Sequence, residues 1–598
     1  MPNPFDITSA ELMDPKEVAA EFVQDHTEYS KLAAYSHTVV WGSRGSGKSM
    51  HFKFLEPGAQ AWRRDLGLEG DVKRYLEKPG AFVGIYVNCR DGILNREELR
   101  RVKDLASVDT GFLHLIFSRY MASVILLKMC GTLFEQLSWT RTLQVDPDGI
   151  PEWAARLTPK KEATLGDFLQ TLKADCQGNI ETLGTLIDLH FLTLPNPPPR
   201  QSFPQNAPRL LPDSVDFLEF VRKAAGIKVP FFLLFDEANE LSLIQQQCVA
   251  SLIAHRTQKT LCIKVASQRH GYRPGQSLEG QVDETHDYTS LDLDELYTSH
   301  QEAYYGRLKA IAGWRLLNAG VHKEITEYLP ANQAELKALE KAKEIAGQRY
   351  ESIPAANRPL DKVNFVKKYA PAIVYQEVLS HKAHKSYAGF DNLVHLSSGI
   401  VRSFLDCCSK MFTRYTQKHP GEEPQFIPVL IQDAVIREYA DEFVQAQILD
   451  KIEELDPKSQ ERKELQRLHN LLLGLGSLFR ARLMDKDSRE PRIISVSLKD
   501  QPAEDLKRIL NLAEREAFLH YKWYRSKRGD HNLQCYVLNR RLCPHFNLDA
   551  TGFQGRLEVS SEELTQALSD PKGFVKKILG RRLRRNDERT DQVGLFEW

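Results

Sequence analysis

At 598 residues the chain exceeds the roughly 250–300 residues at which one hydrophobic core stops growing, so several domains are expected. Its 80 basic and 80 acidic residues cancel, which excludes a long-range pull of the whole molecule on nucleic acid or anionic membrane and leaves only local patches. Nine cysteines without a CxxC pair, and a start (Met1-Pro2-Asn3-Pro4-Phe5-Asp6) with neither a basic nor an apolar export region, point away from disulfides and secretion, so the expected location is cytoplasmic.

The first expected strand is Thr38-Val39-Val40-Trp41, which runs into Gly42 and then into a helix beginning near Lys48. A second strand over 82–87 is followed by a mostly helical stretch from about 96 to 194. Residues 112–134 approach the length of a membrane span, but His114, Arg119 and Lys128 interrupt them, so a buried or interface helix is expected and no membrane partner. Pro195, Pro197, Pro198, Pro199, Pro204, Pro208 and Pro212 mark an extended loop up to about residue 212. An amphipathic helix over 214–225 leads into Phe231-Phe232-Leu233-Leu234-Phe235, short and wholly apolar as a buried parallel strand is, with Asp236-Glu237 at its end. Strands over 261–266 and 288–293 complete five that alternate with helices and predict an α/β parallel sheet.

Helical patterning runs from about 296 to 415 and includes a charged stretch, 335–349, expected to project into solvent. From about 426 come helices over 430–482, a strand over 492–496 and a helix over 505–518. A hairpin of 519–524 and 533–538 then turns at Ser526-Lys527-Arg528-Gly529-Asp530, and the whole predicts a winged-helix module.

Gly42-Ser43-Arg44-Gly45-Ser46-Gly47-Lys48-Ser49 matches G-x-x-x-x-G-K-[ST] in full. In such a loop the glycines turn backbone N–H groups around a phosphate, Lys48 reaches the β/γ oxygens and the Ser49 hydroxyl ligates magnesium, so ATP and Mg2+ are the expected cofactors. Phosphoryl transfer also uses one acid to hold the metal and one to orient the attacking water, and Asp236 and Glu237 supply them in that order. Ser267-Gln268-Arg269 leaves the fourth strand, where Ser267 either senses the γ-phosphate or is an ordinary strand exit. In Ser398-Gly399-Ile400-Val401-Arg402, a serine and glycine opening a helix place Arg402 in its first turn, either within reach of the γ-phosphate or as a surface arginine. Leu396-Ser397-Ser398-Gly399-Ile400 superficially resembles the signature of transporter-type ATPases, but it follows Asp236 instead of preceding it, and that order rules the class out.

His531, Cys535, Cys543 and His545 have zinc-ligand types at short spacing, against which Cys535 in an alternating strand is more simply a core residue. Positive charge gathers at Arg525, Lys527 and Arg528 in the hairpin turn and at Lys572, Lys576, Lys577, Arg581, Arg582, Arg584 and Arg585. These are contacts for duplex DNA or a solvated face.

Gly42–Ser49, Asp236-Glu237, the sensor-like Ser267 and Gly399-x-x-Arg402, followed by a winged helix, resemble the AAA+ superfamily and within it the origin-recognition-complex clade. Asn3-Pro4-Phe5 and Tyr536-Val537-Leu538-Asn539-Arg540 resemble bacterial members of that clade, some of which lie near antiviral defence genes. The resemblance implies an α/β P-loop NTPase fold with a helical lid and a C-terminal α+β winged-helix-like domain. The implied boundaries are an N-terminal extension over 1–30, an ATPase domain over 31–295, a lid over 296–415, a helical and winged-helix-like domain over 426–570, and a basic tail over 571–598. Lys48 and Asp236 stand further apart than a minimal core requires, so residues about 96–212 are a helical insertion, and Arg269, Arg273 and Arg307 are alternatives for an arginine finger in a homo-oligomer. The expected function is an ATP-hydrolysing switch controlling assembly, DNA binding or a partner effector, in defence or in replication initiation. The alternative is a non-catalytic ATP-bound scaffold.

Overall fold

The computed structural model describes residues 2–23, 26–96, 99, 110–146, 149–157, 164–192, 204, 206–255, 259–269, 271–294, 301–378, 385–525, 532–552 and 555–580. The chain forms two compact units, an N-terminal one of Thr8–His300 and a C-terminal one of Gln301–Trp598 joined by Met1–Ile7.

In the N-terminal unit β1 (Thr38–Trp41), β2 (Val83–Asn88), β3 (Phe231–Asp236), β4 (Leu261–Ser267) and β5 (Thr289–Asp292) make one parallel sheet in the order β2-β3-β4-β1-β5. These are the five strands predicted, and because successive side chains of a strand point to opposite faces, each apolar strand serves two cores. Phe231, Leu233 and Phe235 join one with Val39, Ile85 and Val265, while Phe232 and Leu234 join the other with Val40, Phe82 and Ala266. Each such side chain contributes about 1.5–3 kcal/mol when buried. The second core is closed by Phe52 and Leu55 of the helix that follows the glycine loop, α1 (Lys48–Phe54).

The insertion supplies two long helices, α2 (Thr110–Gln136) and α3 (Leu165–Leu192), whose Phe117, Tyr120, Val124, Phe168, Leu172 and Ile180 belong to the first core. By length and hydropathy alone α2 is long enough to cross a bilayer. Two of the residues that interrupt it find partners elsewhere in the chain: Lys128 donates to Asp91 at 2.8 Å and Arg119 donates to the Ala207 carbonyl. A helix, Pro212–Ala225, begins where the proline loop is expected to end, with Pro212 as its first residue. At that position its missing N–H has no intrahelical partner to lose. Pro195, Pro197, Pro198 and Pro199 lie outside the described residues.

The C-terminal unit begins with α4 (Gln301–Asn318), and then α5 (Gln333–Ser352) packs on α6 (Lys362–Ile373). The charged stretch does not simply project into solvent. Ala338, Ala342 and Ala346 recur every four residues and bury one stripe of α5 with Ala370 and Ile373 of α6, leaving Lys337, Glu340, Lys341, Lys343 and Glu344 exposed, while Glu335 is half-buried and accepts from the Ser386 N–H. Next come α7 (Val401–Lys418) and the helices Val429–Val444 and Gln460–Met484. A four-stranded sheet follows, β6 (Ser495–Leu498), β7 (Leu519–Arg525), β8 (Asn532–Leu538) and β9 (Leu557–Val559), ordered β7-β8-β6-β9. The hairpin β7–β8 and α8 (Glu504–Arg515) before it match the predicted helix and wing. The predicted strand over 492–496 is displaced to Ser495–Leu498, and β9, three residues long and parallel to β6, has no counterpart in the prediction.

The opening segment docks on this unit. Phe5 is fully buried beside Tyr328, Asn3 donates to the Ser409 carbonyl and hydroxyl at 3.1 and 2.8 Å, and Arg315 donates to the Asp6 carbonyl at 2.7 Å.

Candidate nucleotide-binding site

The glycine loop leaves β1 after Trp41, and its shape depends on missing side chains. Gly47 sits at φ 102° in the left-handed region and caps α1. A Cβ on Gly42 would fall 2.5 Å from the Ser46 hydroxyl. That hydroxyl is buried and has no hydrogen-bond partner among the described residues, which fits a cradle for a phosphate oxygen. Lys48 is buried, and its ammonium donates to the carbonyls of Gly42 (2.7 Å) and Ser43 (2.9 Å), so it lies against the loop that it is expected to serve. Ser49 follows in the first turn of α1, half-buried, and Arg44 is exposed at the loop's crest.

β3 delivers the two acids. Every residue from Phe231 to Asp236 is buried, and Asp236 lies opposite Asn88 of β2. Both Asp236 oxygens are held: Oδ2 accepts from the Tyr86 hydroxyl at 2.8 Å and Oδ1 from the Glu237 N–H at 2.9 Å. Burial, followed by the Asp236 charge, raises the Tyr86 phenol far above its ordinary range, which keeps it a hydrogen-bond donor. Tyr86 was not among the predicted site residues; its signal is a single tyrosine within the apolar run Val83–Val87 of β2. Glu237 turns out of the strand at φ 53°, a conformation rare for a side-chain-bearing residue and found preferentially at functional sites. Burial, with the neighbouring Asp236, pushes its carboxyl above the usual range, and the Arg90 guanidinium 3.9 Å away opposes the shift. A carboxylate so tuned is a better proton acceptor near neutral pH than an ordinary one. Ser49, Asp236 and the loop fit ATP with Mg2+ in donor type, as a hydroxyl, a carboxylate and a buried ammonium.

The strand order places β4 between β3 and β1, so Ser267 ends at the same sheet edge as Asp236 and the loop, paired in register with Trp41. Ligands of open parallel sheets bind at that carboxyl edge. The Ser267 hydroxyl donates to the Gln268 carbonyl at 2.9 Å. Arg269 is ion-paired to Asp292 at the end of β5.

Arg402 stands exposed in the first turn of α7, as predicted, but the local reason differs. The helix starts at Val401 behind Ile400, and Ser398 does not cap it. Ser398 (φ 53°) instead lies 3.1 Å from His520 Nε2 and accepts from the Arg540 N–H at 3.2 Å. Arg307 is buried in α4, and Arg273 is exposed. Among the described residues no His, Cys, Asp and Glu side chains gather as a metal site. Cys535 and Cys543 are buried and His545 meets Asp441 at 2.6 Å, while His531 lies outside those residues. Lys572, Lys576 and Lys577 lie on a helix over 571–580, with Lys577 3.7 Å from Glu562. Lys527, Arg528, Arg581, Arg582, Arg584, Arg585 and the side chain of Arg525 lie outside the described residues.

The family model described as ORC-CDC6-like matches residues 3–371 and 354–559. No curated protein matches the chain. Among solved structures it is similar to the Aeropyrum pernix ORC1 protein in complex with DNA, with 11% identity over 95% of this chain and 100% of that one and a TM-score of 0.28.

Proposed function

We propose that this chain, which belongs to the ORC-CDC6-like family of AAA+ ATPases, binds and hydrolyses ATP as a switch governing assembly, DNA binding or a partner effector. The observation that carries the reading is the meeting, at one edge of the sheet, of a complete phosphate loop with the held Asp236 and the raised Glu237.

Bound ATP and Mg2+ supply the phosphoanhydride and the Lewis acid. Lys48 exchanges the neutral carbonyls of Gly42 and Ser43 for phosphate charge, a stronger acceptor. Ser49 and Asp236 would hold the metal, Glu237 would take the proton of the attacking water, and Ser267 would orient groups near the γ-phosphate. Arg402, exposed in the first turn of α7, takes the role of the lid arginine that the family resemblance implies. Steady-state hydrolysis with and without duplex DNA, alongside mass measurement with a non-hydrolysable analogue, tests the reading. Turnover lost in Lys48→Ala, and kept binding with reduced hydrolysis in Arg402→Ala, are expected. Wild-type turnover in Lys48→Ala sinks it, and ATP binding without turnover under every condition favours the scaffold.

Duplex DNA is the proposed nucleic-acid partner, through Arg525, Lys527 and Arg528 of the wing and the basic run 572–585. Each phosphate contact removed lowers the salt slope by about 0.9 for duplex DNA, so the triple Glu variant of the wing is expected to bind more weakly with a smaller slope. An unchanged slope assigns those charges to a protein partner. A role in antiviral defence rather than replication initiation is supported only by the resemblance of Asn3-Pro4-Phe5 and Tyr536–Arg540 to bacterial members, and phage challenge of cells carrying wild type or Lys48→Ala tests it.

A further inference from the structure

The phosphate loop is tied at its opening by a carboxylate from another strand. β5 pairs with β1 so that Asp292 faces Trp41, and two residues further along each strand Asp294 meets Ser43. The Ser43 N–H donates to both Asp294 oxygens, at 3.1 and 2.9 Å, and the Ser43 hydroxyl donates to Oδ2 at 2.7 Å. The Asp294 N–H in turn donates to Asp292 Oδ1 at 3.0 Å, and the other side of Asp292 meets the Arg269 guanidinium, two residues beyond Ser267. A continuous polar path therefore runs from the exit of β4, across the end of β5, into the second residue of the loop.

Two carboxylates beside a phosphate loop would repel the phosphate unless something offset their charge. Here the charge of Asp294 is spread over two Ser43 donors and that of Asp292 is met by Arg269. The Asp292 carboxyl, pushed up to about 6 by burial and by Asp294, matches that crowding. Gly42 has no side chain to define the chain's exit from β1, so the loop's first peptide is held at its N–H by Asp294 accepting from Ser43 and at its carbonyl by Lys48.

We propose that Asp294 is a positioning residue for nucleotide binding: through Ser43 it holds the opening of the phosphate loop in its binding shape, and the Asp292–Arg269 pair holds Asp294. This rests on the function proposed above. In that role Arg269 supports the loop of its own chain and does not act on a neighbour's nucleotide.

The test is equilibrium titration of the full chain with a fluorescent ATP analogue, combined with steady-state kinetics and the thermal midpoint without nucleotide. Asp294→Ala should weaken binding about tenfold, or 1.4 kcal/mol, and raise KM while kcat at saturating ATP is kept. Asp294→Asn retains an oxygen to accept from the Ser43 N–H, so it should rescue binding to within about threefold. Arg269→Ala should weaken binding less, and adding it to Asp294→Ala should change nothing further, because both act through one contact. Equal or tighter binding in Asp294→Ala overturns the proposal and makes the carboxylate a repulsive plug; additivity of the two changes overturns the relay. Should Asp294→Ala fail to fold, Ser43→Ala, which removes the hydroxyl contact alone, is expected to weaken binding about threefold, and no change in it overturns the proposal. Absence of ATP binding in the wild type counts against the proposed function itself, whereas binding lost in Lys48→Ala but kept in Asp294→Ala counts against this inference alone.

Discussion

The Tyr86 hydroxyl on β2 donates to Oδ2 of Asp236 on β3 at 2.8 Å, within a sheet that buries Asp236 completely. A carboxylate oxygen held by one donor keeps the other lone pairs directed, which is how a metal-holding acid is oriented by a neighbour that never touches the metal.

Tyr86→Phe removes only that donor, at a cost of about 1–3 kcal/mol for the acceptor left buried. The expected outcome is retained ATP binding with a several-fold higher Mg2+ requirement for turnover, read from a magnesium titration of the rate. An unchanged magnesium dependence would show that Tyr86 serves the fold alone.

Glu237 carries the pH prediction. Its carboxyl is raised by burial and by Asp236, and a base works only when ionised, so the acid limb of the rate profile is expected above the ordinary carboxylate range. Arg90 favours the ionised form, and Arg90→Ala should move that limb to still higher pH. Glu237→Gln should hold ATP without hydrolysing it. A limb that stays put in Arg90→Ala separates the two side chains functionally.

Asp549 governs the acid stability of the C-terminal unit. Burial by itself would raise its carboxyl, but Arg492 and Lys385, with Thr551, outweigh that and hold it far below the usual range. Its folded value being depressed, the stability it contributes is complete above the unfolded value of about 3.9 and is lost as pH falls through the folded one. Asp549→Asn leaves two partly buried cations without their anion and should cost about 3 kcal/mol at pH 7, seen as a lower thermal midpoint that falls less on acidification. An unaltered midpoint at pH 7 refutes this.

Phe5 anchors the opening segment, buried beside Tyr328. Phe5→Ala should cost about 3–5 kcal/mol of local packing and expose the first residues to aminopeptidase. Equal digestion rates for variant and wild type would mean that the hydrogen bonds of Asn3 and Arg315 suffice without the ring.

What could be read from the sequence was local. The spacing of Gly42, Gly47 and Lys48, the strand patterns and the acids closing Phe231–Asp236 are patterns within a few residues, where backbone freedom and side-chain alternation act directly. The winged hairpin was legible for the same reason, whereas β9 was not, since three residues carry too little pattern and depend on β6 for their pairing. The partners of the site residues were decided only by tertiary structure. Tyr86 and Asp236 are 150 positions apart, Asp294 and Ser43 are 251 apart, and Asn3 reaches Ser409 across 406. Such pairs follow from strand order and register, which depend on the burial of whole sheet faces and leave no mark in the residues nearby. Ser398 shows the same limit: its local pattern predicts a helix cap, and the buried His520 of β7 and the Arg540 N–H just beyond β8 take its hydroxyl instead.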